Sequence, residues 1–201
     1  MIRVYKVIGK SFFARSTIAV ARNLLGTCLV RRVGRTVLSG KIVETEAYCG
    51  EDDLACHASR GRTKRTEILY AKPGTIYIYL IYGMYWCLNI VTEREDFPSA
   101  VLIRAVEPVE GVTLMMRRRG TRKIEDIANG PGKLCEAFGI TGRMHGKPLG
   151  PETLWIEGRG GRLPARAIGQ SPRIGVDYAK GCARYPWRFF VKDSPYVSRR
   201  S

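Results

Sequence analysis

Apolar positions in this chain recur with two periods. In residues 16–25, Ile18, Ala21 and Leu25 fall on one helical face with Leu24 beside them, and Ser16 stands where an N-cap belongs. β-like runs follow. Leu29, Val30 and residues 36–38 flank Arg31-Arg32-Val33-Gly34-Arg35, where Gly34 is placed to turn a tight hairpin. Residues 41–48 predict a strand with Glu44, Glu46 and Tyr48 on one face and Val43, Thr45 and Ala47 on the other. Residues 51–65 are polar and irregular and predict a long loop; Pro73-Gly74 marks a turn. Two β-rich runs, 75–82 and 84–91, are split by Gly83, which predicts a hairpin with Tyr82, Gly83 and Met84 near its tip. In the first run Tyr77 and Tyr79 oppose Ile76 and Ile78. Residues 100–106 predict an apolar strand with Arg104 set inside it.

Beyond Gly111, residues 112–118 predict a short helix. The glycine-rich loop Asn129-Gly130-Pro131-Gly132 opens onto a helical stretch at 133–138, and strands are expected at 154–156, 174–176 and 188–191. No linker separates a second domain. Residues 1–201 are therefore expected to form a single compact domain of mixed α/β (α+β) class, around a curved, mostly antiparallel sheet with a protruding β-hairpin.

Charge changes the picture. The 201 residues carry 34 Lys and Arg against 18 Asp and Glu, a formal surplus of +16. Residues 1–110 hold 16 basic and 11 acidic side chains, and residues 111–201 hold 18 and 7, so most of the surplus lies in the second half. Such an excess repels itself and attracts polyanions, and nucleic acid is the polyanion expected as partner. The alternative is a basic solvated surface with no such role. No run approaches the roughly 18 apolar residues of a membrane span, and no secretory signal is visible, so an intracellular protein without a membrane role is expected. The six cysteines lack C-x-x-C spacing and read as small buried thiols. Cys56-His57 is the one adjacent Cys/His pair, and it lacks further ligands at a metal-binding spacing.

Three constellations could carry chemistry. Glu44 and Glu46 sit two apart on an otherwise apolar strand, where burial without a cationic partner is costly. Arg104 is the candidate partner; an edge strand with its charges in water is the alternative reading. Tyr48, Tyr77, Tyr79, Tyr82, Tyr85 and Trp86 crowd two segments, with His57 close after Tyr48, and flat rings in a basic protein suit stacking on bases. Tyr77 and Trp86 are assigned to the core, whereas Tyr82 beside a hairpin glycine fits a core poorly. Asn129-Gly130-Pro131-Gly132-Lys133 suits either a phosphate contact or a plain turn.

The strings ARNLLGTCLVRRV, GKIVETEAYCGEDDLACHASRG, KPGTIYIYLIYGMYWCLNIV, VLIRAVEP, NGPGKLC and SPRIGVDYAKGCARYPWRFFVKDSPYVS, in that order, resemble the alkyladenine (3-methyladenine) DNA glycosylase family of the non-helix-hairpin-helix type. The resemblance runs from about Ala21 to Ser198. It implies that Glu46 is the general base that activates water and that Arg104 helps position that water. It implies a slot for a flipped base from Tyr48, His57 and Tyr79, with Asn89 disfavouring the 2-amino group of normal guanine. Tyr82 would wedge into the minor groove with Met84 flanking it, Lys133 would contact the DNA backbone, and Glu44 reads as support.

The implied partner is double-stranded DNA containing damaged purines, handled by a monomer with no cofactor and no metal. A base alkylated at N3 or N7 already carries positive charge and leaves without a protonating acid, so one carboxylate suffices. Deaminated or etheno purines would need extra assistance. A non-catalytic basic nucleic-acid-binding module is the alternative. A zinc deaminase is excluded by the absence of H-x-E and P-C-x-x-C, and a lyase would need an amine nucleophile near Glu46. Residues 63–70, 92–99 and 158–170 depart from the family pattern.

Overall fold

A computed structural model describes residues 6–159 and 163–198. In chain order the strands are β1 (Lys6–Val7), β2 (Cys28–Val33), β3 (Thr36–Cys49), β4 (Ile76–Ile81), β5 (Tyr85–Val91), β6 (Ser99–Glu110), β7 (Leu154–Gly158), β8 (Ile168–Ser171) and β9 (Arg188–Val191). The α-helices are α1 (Lys10–Phe13), α2 (Thr17–Leu24), α3 (Val112–Arg119) and α4 (Pro131–Phe138). The sheet runs β1-β7-β2-β3-β6-β5-β4, with β9 pairing both β3 and β8, and each of these pairings is antiparallel. This is the mixed α/β class the sequence predicts.

The 14-residue β3 is the spine of the sheet. The sequence suggests two strands here, but the structure has one, running through Gly40 without a break. A Cβ on Gly40 would lie 2.7 Å from a Val106 methyl, so the close approach of β6 excludes a side chain there. Register shifts between β3 and β6 at Ser39/Gly40, Ile42/Glu44 and Glu44/Thr45 bend the strand and curve the sheet.

Alternation sorts side chains between two faces. Ile76 and Ile78 of β4, Leu88 and Ile90 of β5, and Val101 and Ile103 of β6 join one buried cluster with Leu24, Leu134 and Phe138 of the helices. Thr45 faces the same way, its hydroxyl donating to the Ala21 carbonyl of α2 at 2.9 Å. The intervening positions Tyr77, Tyr79, Cys87, Asn89, Leu102 and Arg104 line a cleft on the opposite face.

Several boundaries depart from expectation. Ser16 occupies the N-cap of α2 without a side-chain bond; the Glu93 carboxylate instead accepts from the Thr17 amide at 3.0 Å and its hydroxyl at 2.7 Å. Helix α4 begins at Pro131, so the glycine-rich loop ends two residues earlier than expected, with proline at the first turn where its missing N–H costs nothing. Residues 174–176 are not a strand but an irregular segment ahead of the 3₁₀ run Asp177–Arg184. Strand β8 falls in a stretch whose sequence predicts nothing. No helix among the described residues is long and apolar enough to cross a membrane.

Candidate active site

Glu46 is fully buried in β3, and three donors converge on its carboxylate. Tyr48 Oη donates to Oε2 at 2.8 Å, Arg104 Nη1 donates to Oε2 at 3.1 Å, and the Ile174 amide donates to Oε1 at 2.8 Å. The ion pair suggested by the sequence is present, and it is shared. Arg104 Nε also donates to Glu44 Oε1 at 3.1 Å. Burial alone would weaken the Arg104 charge, but Glu46 and Glu44 outweigh it and hold its pKa above the ordinary guanidinium value.

Glu44 is saturated. Its Oε1 also accepts from Arg188 Nε at 2.6 Å and from the Ser198 hydroxyl at 2.7 Å, while its Oε2 accepts from the Ser198 amide at 2.7 Å. Two carboxylates and two guanidiniums therefore balance in charge within the buried face of β3, β6 and β9. The edge-strand alternative for Glu44 and Glu46 is excluded, because both are fully buried with partners.

In front of this network lies a cleft of about 490 Å³, within the size range of small-ligand sites. Tyr48, His57, Tyr79, Asn89, Tyr82 and Arg104 all line it. Glu46 does not; it sits behind the lining formed by Tyr48, Arg104 and Ile174. The His57 ring meets Tyr79 edge-on, with centroids 4.7 Å apart, and its Nδ1 lies 2.7 Å from the Tyr77 hydroxyl. Burial, reinforced by Arg65 and Arg60, pushes the His57 pKa from 6.5 down to about 4, so its imidazole is neutral at neutral pH. Burial, the Glu46 charge and the Tyr79 neighbour hold the Tyr48 phenol protonated well beyond its usual range. Asn89 anchors its Nδ2 on the carbonyls of Tyr77 at 3.3 Å and Cys87 at 3.4 Å.

The hairpin of β4 and β5 closes at the sheet edge through a turn in which the Met84 amide bonds the Ile81 carbonyl at 3.1 Å. Tyr82 and Gly83 both take positive φ, 53° and 71°, the hand that matches strand twist. A tyrosine in this region is uncommon, and the residue is 81% exposed. Met84 is also exposed in the turn but does not line the cleft. Lys133 lies in the first turns of α4, its Nζ donating to Asn129 Oδ1 at 2.8 Å, also away from the cleft lining. Helix α4 nevertheless abuts the hairpin: a Cβ on Gly132 would stand 3.1 Å from Tyr85.

Sequence reasoning missed several residues. Tyr77 is buried as expected of a core residue, yet it lines the cleft and holds His57. Its place on the same strand face as Tyr79 was the available signal. Ile174, Gly175 and Tyr178 form another wall, contributed by a segment whose sequence suggests a strand but which is irregular in the structure. The six cysteines are free thiols, five of them buried. No cluster of three or more His, Cys, Asp or Glu able to hold a metal occurs among the described residues.

A family profile described as methylpurine-DNA glycosylase matches residues 11–195. A Methanocella arvoryzae protein named "Putative 3-methyladenine DNA glycosylase" is 50% identical over 198 residues, covering 97% of each chain. Proteins of the same name from Clostridium perfringens strain SM101 and Myxococcus xanthus are 43% and 47% identical, covering 96% and 94% of this chain and 99% and 92% of theirs. These matches define the class as DNA-repair hydrolases acting in base excision. The chain belongs to the methylpurine-DNA glycosylase family.

Proposed function

We propose that the protein excises alkylated purines, 3-methyladenine and 7-methylguanine, from duplex DNA by hydrolysis of the N-glycosidic bond, leaving an abasic site. The observation that carries this reading is a buried Glu46–Arg104 pair behind a ring-lined cleft, with an exposed aromatic hairpin tip at its mouth.

A base inside a duplex must rotate out before its glycosidic bond is reached, at a cost of a few kcal/mol. Tyr82 fills the gap left in the stack and offsets part of that cost, with Met84 beside it. The extruded purine stacks among Tyr48, His57 and Tyr79. Neutral His57 adds no charge repulsion against a cationic base. Asn89, pinned by the two hairpin carbonyls, occupies the space that the 2-amino group of guanine would need.

A carboxylate offers about four acceptor positions. Three are taken at Glu46, and the remaining lone pair, on Oε1, receives the proton of the attacking water. Its negative charge stabilises the oxocarbenium-like sugar. The alkylated base leaves already charged, so no second carboxylic acid is needed. Among the described residues no lysine lines the cleft, which favours hydrolysis by water over covalent lyase chemistry. Lys133 and the +16 surplus serve the phosphate backbone. The protein is expected to act as a monomer on DNA inside the cell.

The test is release of free base from duplexes holding 3-methyladenine, 7-methylguanine, hypoxanthine or ethenoadenine. Glu46→Gln should abolish release while retaining DNA binding. Full activity in that variant would remove Glu46 from the mechanism.

A further inference from the structure

Arg173 lies just after β8, and its side chain is wholly buried. Its guanidinium forms a two-pronged pair with Asp53, Nη1 to Oδ2 at 2.5 Å and Nη2 to Oδ1 at 2.8 Å. Nη1 also donates to the Ala47 carbonyl of β3 at 2.9 Å, and Nη2 to the Cys182 carbonyl at 3.1 Å. The same group stacks 4.8 Å from the Tyr48 ring centroid and 5.1 Å from that of Trp187. One planar cation thus joins the strand that carries Glu46, the turn that precedes His57, the 3₁₀ run that carries Tyr178, and the ring of Tyr48.

Two details separate this from an ordinary buried ion pair. The next residue, Ile174, supplies the amide on Glu46 Oε1 at 2.8 Å, so the loop that Arg173 anchors ends on the carboxylate. Asp53 also organises the turn ahead of His57: its Oδ1 accepts from the Ala55 amide at 3.1 Å and its backbone carbonyl from the Cys56 amide at 2.7 Å. In addition, Arg173 Nε is buried with no hydrogen-bond partner. An orphaned donor of this kind costs stability, on a residue whose remaining bonds all tie site-bearing segments together.

We propose that Arg173 is a positioning residue for base excision: by clamping Asp53, Ala47 and Cys182 it holds the Ile174 amide on Glu46 and backs the Tyr48 ring at the cleft wall. The idea rests on Glu46 being the general base. Arg173 acts through Ile174 and Tyr48 and touches no reacting atom.

Arg173→Lys and Arg173→Gln test this, beside Glu46→Gln, by single-turnover excision at saturating enzyme. Lysine keeps the charge and removes the fork, which separates geometry from charge. The expected result is a single-turnover rate at least about tenfold lower in both variants, with the dissociation constant for lesion DNA changed less than about threefold.

A lysine variant with the wild-type single-turnover rate would overturn the proposal. So would a rate loss matched by an equal loss of DNA binding, which marks a purely structural role. Should Arg173→Gln fail to fold, the lysine variant and Asp53→Asn carry the same readouts. Retained activity in Glu46→Gln would instead sink the underlying reading of the base, so the two failures are distinguishable.

Discussion

The Tyr48 hydroxyl donates to the Glu46 carboxylate at 2.8 Å from two positions further along the same strand. Residues two apart on a strand share a face, so the phenol leans back over the acid and becomes both a wall of the cleft and a ligand of the carboxylate. One side chain thus ties the stacking surface to the proposed base.

Tyr48→Phe separates those two jobs. The ring remains, and one hydrogen bond to a charged group is lost, an interaction worth roughly 1.5–3 kcal/mol. We expect single-turnover excision to fall about 10- to 100-fold, with affinity for lesion DNA nearly unchanged. Equal losses in both would show that the hydroxyl serves binding rather than the chemical step.

Glu44→Ala leaves Arg104, Arg188 and Ser198 facing a void. Removing one partner of a buried ionic network costs about 3–5 kcal/mol. Urea denaturation should register a loss of that size. A melt within about 1 kcal/mol of wild type would mean that water or a neighbouring group compensates.

Tyr82→Gly should move stability and activity in opposite senses. Glycine tolerates the positive φ of 53° at this position, whereas tyrosine is strained there. Thermal unfolding should occur at an unchanged or slightly higher temperature, while excision from duplex DNA drops through loss of the wedge. A less active enzyme that is also markedly less stable would show the ring to be a structural element.

His57 makes stability depend on pH. Its pKa falls from 6.5 to about 4 on folding, through burial and the neighbouring Arg65 and Arg60. Below pH 6.5 the unfolded chain takes up a proton that the folded chain declines until about pH 4, so folding weakens as pH falls through that window. The full effect is at most about 3 kcal/mol. Denaturation of wild type and His57→Phe from pH 7 to 4 should show the difference between them shift against wild type by up to this amount. Parallel pH profiles would refute the assignment.

The period-two alternation in the sequence already determined which residues meet. Placing Glu44, Glu46 and Tyr48 on one face of β3, Tyr77 and Tyr79 on one face of β4, and Arg104 inside an apolar strand required only the geometry of a pleated strand, and the structure keeps each placement. The hairpin tip was legible for a similar reason: Gly83 between two β-rich runs leaves few other places to turn. Tyr77 is buried in the core as expected, but its second place at the cleft wall was not legible, because alternation tells which face a ring occupies and not whether that face is packed solid or left open.

Tertiary structure alone decided the rest. The Ile174 amide on Glu46 crosses 128 positions of sequence, and Arg173 reaches Asp53 across 120. Both come from an irregular segment that the sequence suggests is partly a strand. Local spacing is governed by backbone geometry within a few residues and is readable from the sequence. Which loop comes to rest against which strand is fixed by how the curved sheet packs as a whole, and that depends on every bulge and close approach along β3.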